Sequence, residues 1–161
     1  MSHPPDVRPL VDLAGRARLG SLATIARQPA GWPFATLVAV AFDGRGRPLL
    51  RLSRLAEHTK NLEACSRASL LVVEPSSERD DPLALGRMTL VGACEPVPAP
   101  EAQPAHAAFA AAHPEAAAYA SLADFGMWRL EVDAVRWVGG FGRMNWVPGD
   151  AYARACAARA R

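Results

Sequence analysis

Residues 50–71 read LRLSRLAEHTKNLEACSRASLL, and the way this stretch is divided decides the fold. Leu50 and Leu52 alternate with Arg51 and Ser53, which is the period of a strand, and Arg51 and Ser53 therefore share one face. Leu55, Thr59, Leu62 and Cys65 or Ser66 then recur at helical spacing, so residues 55–66 are expected to form a short amphipathic helix. The apolar run at 68–75, ASLLVVEP, follows as a buried strand. His58, Thr59, Lys60 and Asn61 fall at the start of the helix, where the first-turn N–H groups are free to meet an anion. Lys60 is the only lysine in the chain, and every other strong base is an arginine. A phosphate suits such a set, because it accepts several hydrogen bonds and two positive charges at once. Arg87, at the head of a later strand, joins the set if the two strands are neighbours. The alternative is an ordinary helix cap with solvated side chains around it.

Working outward, residues 7–18 place Leu10, Leu13, Ala14 and Ala17 on one helical face, with Gly20 expected to end the helix. Residues 21–26 (SLATIA) and 34–43 (FATLVAVAFD) read as strands joined by a turn rich in Pro29, Gly31 and Pro33. DGRGRP at 43–48 has the composition of a tight hairpin loop leading into a strand at 48–53. After a polar loop at 76–86, RMTLVGACEPV (87–97) reads as a strand. A proline-rich linker then enters an alanine-rich helical region at about 101–121, broken at Pro114. Trp128, Leu130 and Val132 alternate with Arg129, Glu131 and Asp133, the mark of a half-buried antiparallel strand over 128–140. A last helix begins near Asp150. Strands joined by short turns, with helices inserted late, predict one mainly β (α+β) domain spanning 1–161: an antiparallel barrel with flanking helices. The N-terminal tail and the C-terminal helix are expected to lie at its periphery.

The bulk composition narrows the function. At 161 residues, half of them apolar and 21% charged, the chain suits a single globular domain. A net charge of +2, scattered basic residues and no aromatic interleaving argue against a nucleic-acid partner. Arg154, Arg159 and Arg161 make only a mildly basic tail. Cys65, Cys94 and Cys156 have neither paired nor CxxC spacing, which argues against disulfides or a zinc site and for a reducing compartment. No stretch has the length of a membrane span or the apolar core of a signal peptide, so a cytoplasmic location without membrane attachment is expected.

Several segments together resemble a known family. LSRLAEHTKNL (52–62), RASLLV, RMTLVGACEPV and DFGMWRLEVDAVRWVGGFGRMNW (124–146) are similar to the FMN-binding split barrels of the pyridoxamine 5'-phosphate oxidase-like superfamily. The similarity is greatest to its haem-utilisation (HugZ-type) branch and covers about 14–147. The resemblance implies a six-stranded split barrel, a homodimer with FMN between the subunits, and an oxidoreductase acting on a small molecule the sequence does not name. Carried over position by position, it makes Thr36, Arg51, Ser53, His58, Thr59, Lys60, Asn61 and Arg87 the cofactor-binding residues, with Gly140, Phe141, Gly142 and Trp146 bordering the ring. It assigns no catalytic residue and no metal ligand. Thr36 stands where the oxidases carry an arginine, and Arg87 where they carry a glutamine. Their C-terminal substrate-binding Arg and His have no counterpart, so oxidation of pyridoxamine phosphate is not expected. The haem branch suggests an alternative cofactor, haem, and a flavin-holding module without turnover is a third reading.

Other residue sets are weaker candidates. His3 falls in the tail, and His106 and His113 on the alanine-rich helix are expected to be solvated. Asp80 and Asp81 beside Pro82 read as turn chemistry, and no GxSxG elbow supports a hydrolase. Trp128, Trp137 and Trp146 read as core or interface, and Cys65 as a small buried hydrophobe.

Overall fold

The computed structural model describes residues 6–76, 81–119, 124–140 and 142–159. Seven antiparallel strands form one sheet: β1 (Leu19–Ile25), β2 (Pro33–Phe42), β3 (Pro48–Ser53), β4 (Arg67–Val73), β5 (Gly86–Pro96), β6 (Phe125–Gly139) and β7 (Met144–Pro148). Their spatial order is β3-β2-β1-β4-β5-β6-β7, and a further β3–β6 pairing closes the first six into a barrel. β7 hangs on β6 outside that closure, with Val135 opposite Val147. Four α-helices flank the barrel: α1 (Arg8–Arg16), α2 (Glu57–Ala64), α3 (Ala99–Ala112) and α4 (Gly149–Arg159). A 3₁₀ segment, Pro114–Tyr119, follows α3.

Alternation along the strands builds the core. Val38 and Val40 of β2, Leu50 and Leu52 of β3, Leu70 and Val72 of β4, and Met88 and Leu90 of β5 point inward and are buried together. A second cluster lies outside the wall, where Ala41, Leu49 and Met127 pack beneath Ala105 and Phe109 of α3. α3 is therefore a lid on the outer face of β2, β3 and β6.

Several expectations are corrected. α1 stops at Arg16, and Gly20 is the second residue of β1 rather than a helix stop. A Cβ there would come within 2.8 Å of Leu70 Cδ1, so the close approach of β4 explains the glycine. Leu55 precedes α2 and is 76% exposed, so the buried stripe of the helix begins at Thr59. The C-terminal helix is more than peripheral: Tyr152 is fully buried and joins Cys156 in the main core cluster. β7 falls in a stretch the sequence reading left between a loop and a helix. His106 is exposed, but His113 is buried. Cys65 is half-buried at the end of α2, and its hydrogen bond with Arg67 lowers its thiol pKa. Trp128 and Trp137 are core residues as expected, whereas Trp146 is exposed. His3, Asp80, Phe141 and Arg161 lie outside the described residues.

An ion-pair network fastens α3 to the barrel. Arg47 binds Asp43, Glu101 and Glu131, and Arg129 binds Glu101 and Glu131. The Arg129 hydrogen bond holds the Glu101 carboxyl below its ordinary pKa of 4.5. A carboxylate with a depressed folded-state pKa stabilises above its unfolded pKa and loses that contribution as pH falls through the folded value. The Glu101→Gln variant should therefore unfold at lower urea than the wild type at pH 6, and the gap should shrink by pH 3. An equal gap at both pH values would remove Glu101 from the acid response.

Candidate cofactor site

The structure divides the eight sequence-identified residues into three places. Thr36 and His58 meet at the end of the barrel under α2, with Thr36 Oγ1 at 3.1 Å from His58 Nδ1. Burial pushes the His58 pKa down, which favours the neutral ring. Thr59 and Asn61 are fully buried and committed to the protein itself. Thr59 donates to the Ser53 carbonyl at 2.6 Å, tying α2 to the end of β3. Asn61 donates to Thr24 Oγ1 at 3.1 Å and accepts from the Arg27 N–H at 3.0 Å, tying α2 to β1 and the turn after it.

Arg51 and Ser53 point away from the barrel interior, on its outer wall. Ser53 donates to Asp124 at 2.6 Å and accepts from the Leu55 N–H at 3.1 Å. Arg51 lies over the Phe125 ring, 5.6 Å from its centroid, and donates to the Ala116 carbonyl at 3.4 Å. Beside it is a cavity of about 300 Å³ lined by Ala39, Arg51, Phe125, Phe109, His113, Glu115 and Ala116. Its floor is the outer face of β2, β3 and β6, and its far wall is the end of α3 and the 3₁₀ segment. This cavity escaped the sequence reading. The alternation that buries Leu50 and Leu52 does show that Arg51 faces outward, but nothing local shows that α3 folds back over it.

Arg87 is not brought to these residues within one chain. β3 and β5 are not neighbours. Ser53 pairs with Phe125, whereas Arg87 pairs with Val138, thirteen residues further along β6. At about 3.3 Å per residue that is roughly 40 Å of strand. Arg87 donates instead to the Leu83 and Leu85 carbonyls. Gly140 and Gly142, both with positive φ, flank the turn between β6 and β7 at that same end.

The arrangement tests the two cofactors differently. A phosphate at the start of α2 would meet His58, whose burial disfavours the charged ring, and the Glu57 carboxylate in the first turn, with Lys60 the cation on the helix. Ser53, Thr59 and Asn61 have spent their donors elsewhere. The outer cavity instead offers two phenyl rings and a guanidinium beside the Glu115 carboxylate, which suits the edge of a flat apolar ring with one acid group turned toward Arg51. Among the described residues no three His, Cys, Asp or Glu side chains converge as a metal site. No described helix is long and apolar enough to cross a membrane.

A closed six-stranded antiparallel barrel with one extra strand and helices on its outside defines the split-barrel class. Residues 9–154 match the family model described as CREG, beta-barrel, and the chain belongs to that family. It is 34% identical over 121 residues to the chloroplastic non-canonical heme oxygenase HOZ of Arabidopsis thaliana, a match covering 75% of this chain and 36% of that protein. The chain thus spans little more than a third of that relative's length. The structure of a heme binding protein from Mycobacterium smegmatis superposes with a TM-score of 0.86 at 40% identity, covering 96% of this chain and 62% of that one. A FAD-binding protein from Mesorhizobium loti shares the fold at 16% identity, with a TM-score of 0.62 and coverage of 79% and 87%.

Proposed function

We propose that the chain is a cytoplasmic haem-binding protein that works as a homodimer, with the haem edge seated in the outer cavity over Arg51. The observation that carries this reading is the cavity itself: its aromatic and guanidinium lining stands where a flat ring can lie, while the hydroxyls and amide of the expected phosphate cradle are already bonded inside the protein. The similarity to the Arabidopsis heme oxygenase and the mycobacterial heme binding protein supports the same cofactor. Arg51 would pair with a propionate, and Phe125 and Phe109 would exclude water from the ring. Bound haem would supply redox and oxygen chemistry at its iron.

The dimer reading rests on the bare wall. Leu19, Leu37, Val73, Met144 and Trp146 are large apolar side chains exposed on the outer faces of β1, β2, β4 and β7. A cavity of about 300 Å³ is at the small end for a ligand site, so a second copy laid on this wall would cover the rest of the ring. Arg87 lies on that wall between Val73 and Val138 and would join the cofactor only across the subunit boundary.

A second reading, an FMN-dependent oxidoreductase acting on a small molecule, keeps the support of Lys60 and His58 at the head of α2. Titration with hemin and, separately, with FMN tests the two. Hemin should give a Soret band saturating at one per chain, and Arg51→Ala should weaken hemin about tenfold or more while Lys60→Ala leaves it unchanged. Sedimentation of the haem-loaded protein should give a dimer. Saturable FMN binding that Lys60→Ala weakens, with no Soret band, would replace haem by the second reading. A monomer at micromolar concentration would remove the dimer.

A further inference from the structure

We propose that His113 is a proton-operated clasp that holds the 3₁₀ segment against β2 and thereby sets how open the cavity over Arg51 is. His113 ends α3 and is only 4% exposed, its ring stacked on Phe109 with centroids 4.7 Å apart. One ring nitrogen, Nε2, lies 2.9 Å from the Val40 carbonyl oxygen, and the other, Nδ1, lies 2.9 Å from Glu115 Oε1. A carbonyl oxygen only accepts, and so does an ionised carboxylate. Both contacts are hydrogen bonds only when both nitrogens carry a proton. A neutral ring, in either tautomer, keeps one of the two bonds and turns a lone pair toward an oxygen at the other.

The charges around the ring fix the sign. Glu115 faces it from the 3₁₀ segment, and the His113 hydrogen bond keeps that carboxyl below its usual range, so it stays ionised where imidazoles titrate. α3 contributes the Phe109 ring and β2 the Val40 carbonyl, neither of which titrates. Arg51 of β3 lines the same cavity and opposes a second positive charge, while Arg18 acts on Glu115 from the α1–β1 connection. The clasp is thus whole while the ring carries both protons and loses one bond when it carries one.

The consequence falls on the cavity wall. β2 is fixed in the closed barrel, so the part able to yield is the segment bearing Glu115 and Ala116. Among the described residues the segment is also held by the Arg51 bond to the Ala116 carbonyl, at 3.4 Å, and by the Ala116 N–H bond to the His113 carbonyl, at 3.0 Å. The first is long, and the second leans on His113 itself. The cavity should open as the ring loses its second proton.

The test uses the full chain without added haem or FMN, so its result is independent of the cofactor. Nitrogen-15 NMR of the histidine rings reports the protonation of His113. Hydrogen exchange of the Ala116 N–H, corrected for intrinsic rate, reports the wall between pH 5.5 and 8.5. The expected result is a doubly protonated ring at low pH and a fall in Ala116 protection of about tenfold or more at the midpoint of its titration. Glu115→Gln should abolish the step, because an amide donates to a neutral ring or accepts from a charged one. His106→Gln, on the exposed part of α3, should leave the step in place. A ring singly protonated throughout, protection that does not change with pH, or a step surviving in Glu115→Gln would overturn the clasp.

Discussion

Gly92→Ala should unfold the protein more readily than any conservative change in the helices. Gly92 sits where the β5–β6 register shifts, with Val91 opposite Ala134 but Gly92 opposite Val132. A Cβ built on it comes 1.8 Å from the Glu131 carbonyl oxygen, which is backbone and cannot rotate aside. β6 must retreat, yet its Phe125–Arg129 end is bound to β3 and its other end to β5 and β7. Overpacking against backbone at such a point costs about 3 kcal/mol or more. For a chain of this size that lowers Tm by about 6–12 °C. Gly15→Ala is the control, because nothing lies within 4 Å of its Cβ and it stands inside α1. There the change should be neutral or slightly stabilising. Thermal melts of both variants decide the matter, and a Gly92→Ala midpoint within a degree of the wild type would show that the bulge can absorb a methyl group.

Asn61→Ala should destabilise by about 2–4 kcal/mol while sparing the binding site. The side chain is fully buried and makes two bonds, one to Thr24 Oγ1 and one from the Arg27 N–H. Truncation strands the Arg27 N–H where α2 covers the end of the barrel, and leaves Thr24 with only its long bond to the Phe34 carbonyl, at 3.4 Å. Lys60→Ala, one residue earlier and only half-buried, should shift stability by no more than about 0.5 kcal/mol. Urea titrations of the two variants should therefore differ sharply, although both residues belong to the same short motif. Equal effects would mean that Asn61 is not the pin the hydrogen bonds describe, and loss of hemin binding by folded Asn61→Ala would return it to the site.

The contrast between Asn61 and Lys60 shows what was legible in the sequence and what was not. Strand alternation at 48–53 and 67–73 and the helix between them were readable, because burial on one face imposes its period on the residues. The same period marks Thr59 and Leu62 as the buried face of α2, and it could have removed Thr59 from the anion set. Asn61 has no such signal, since its role depends on Thr24 and Arg27, more than thirty residues away. Arg87 could be assigned only with the strand order in hand, and strand order is a property of pairing rather than of any one strand. β7 was missed because five residues with two outward aromatic or thioether side chains, Met144 and Trp146, look like the edge of a loop. The cavity needs α3 to fold over β3, a contact between residues some sixty positions apart.

β6 reaches further than its length suggests. Fifteen residues long, it pairs with β3 at one end, β5 along its length and β7 at the other, so one late segment of the chain completes the circle begun at Pro48. Until that segment has left the ribosome, β3 and β5 each present an open row of backbone donors and acceptors to whatever strand drifts past. Closing the ring then requires a loop of more than seventy residues between Ser53 and Phe125 to be drawn in, which makes the last step slow compared with the hairpins formed earlier. Nascent chains halted short of β6 are the ones that chaperones should hold and that aggregates should collect.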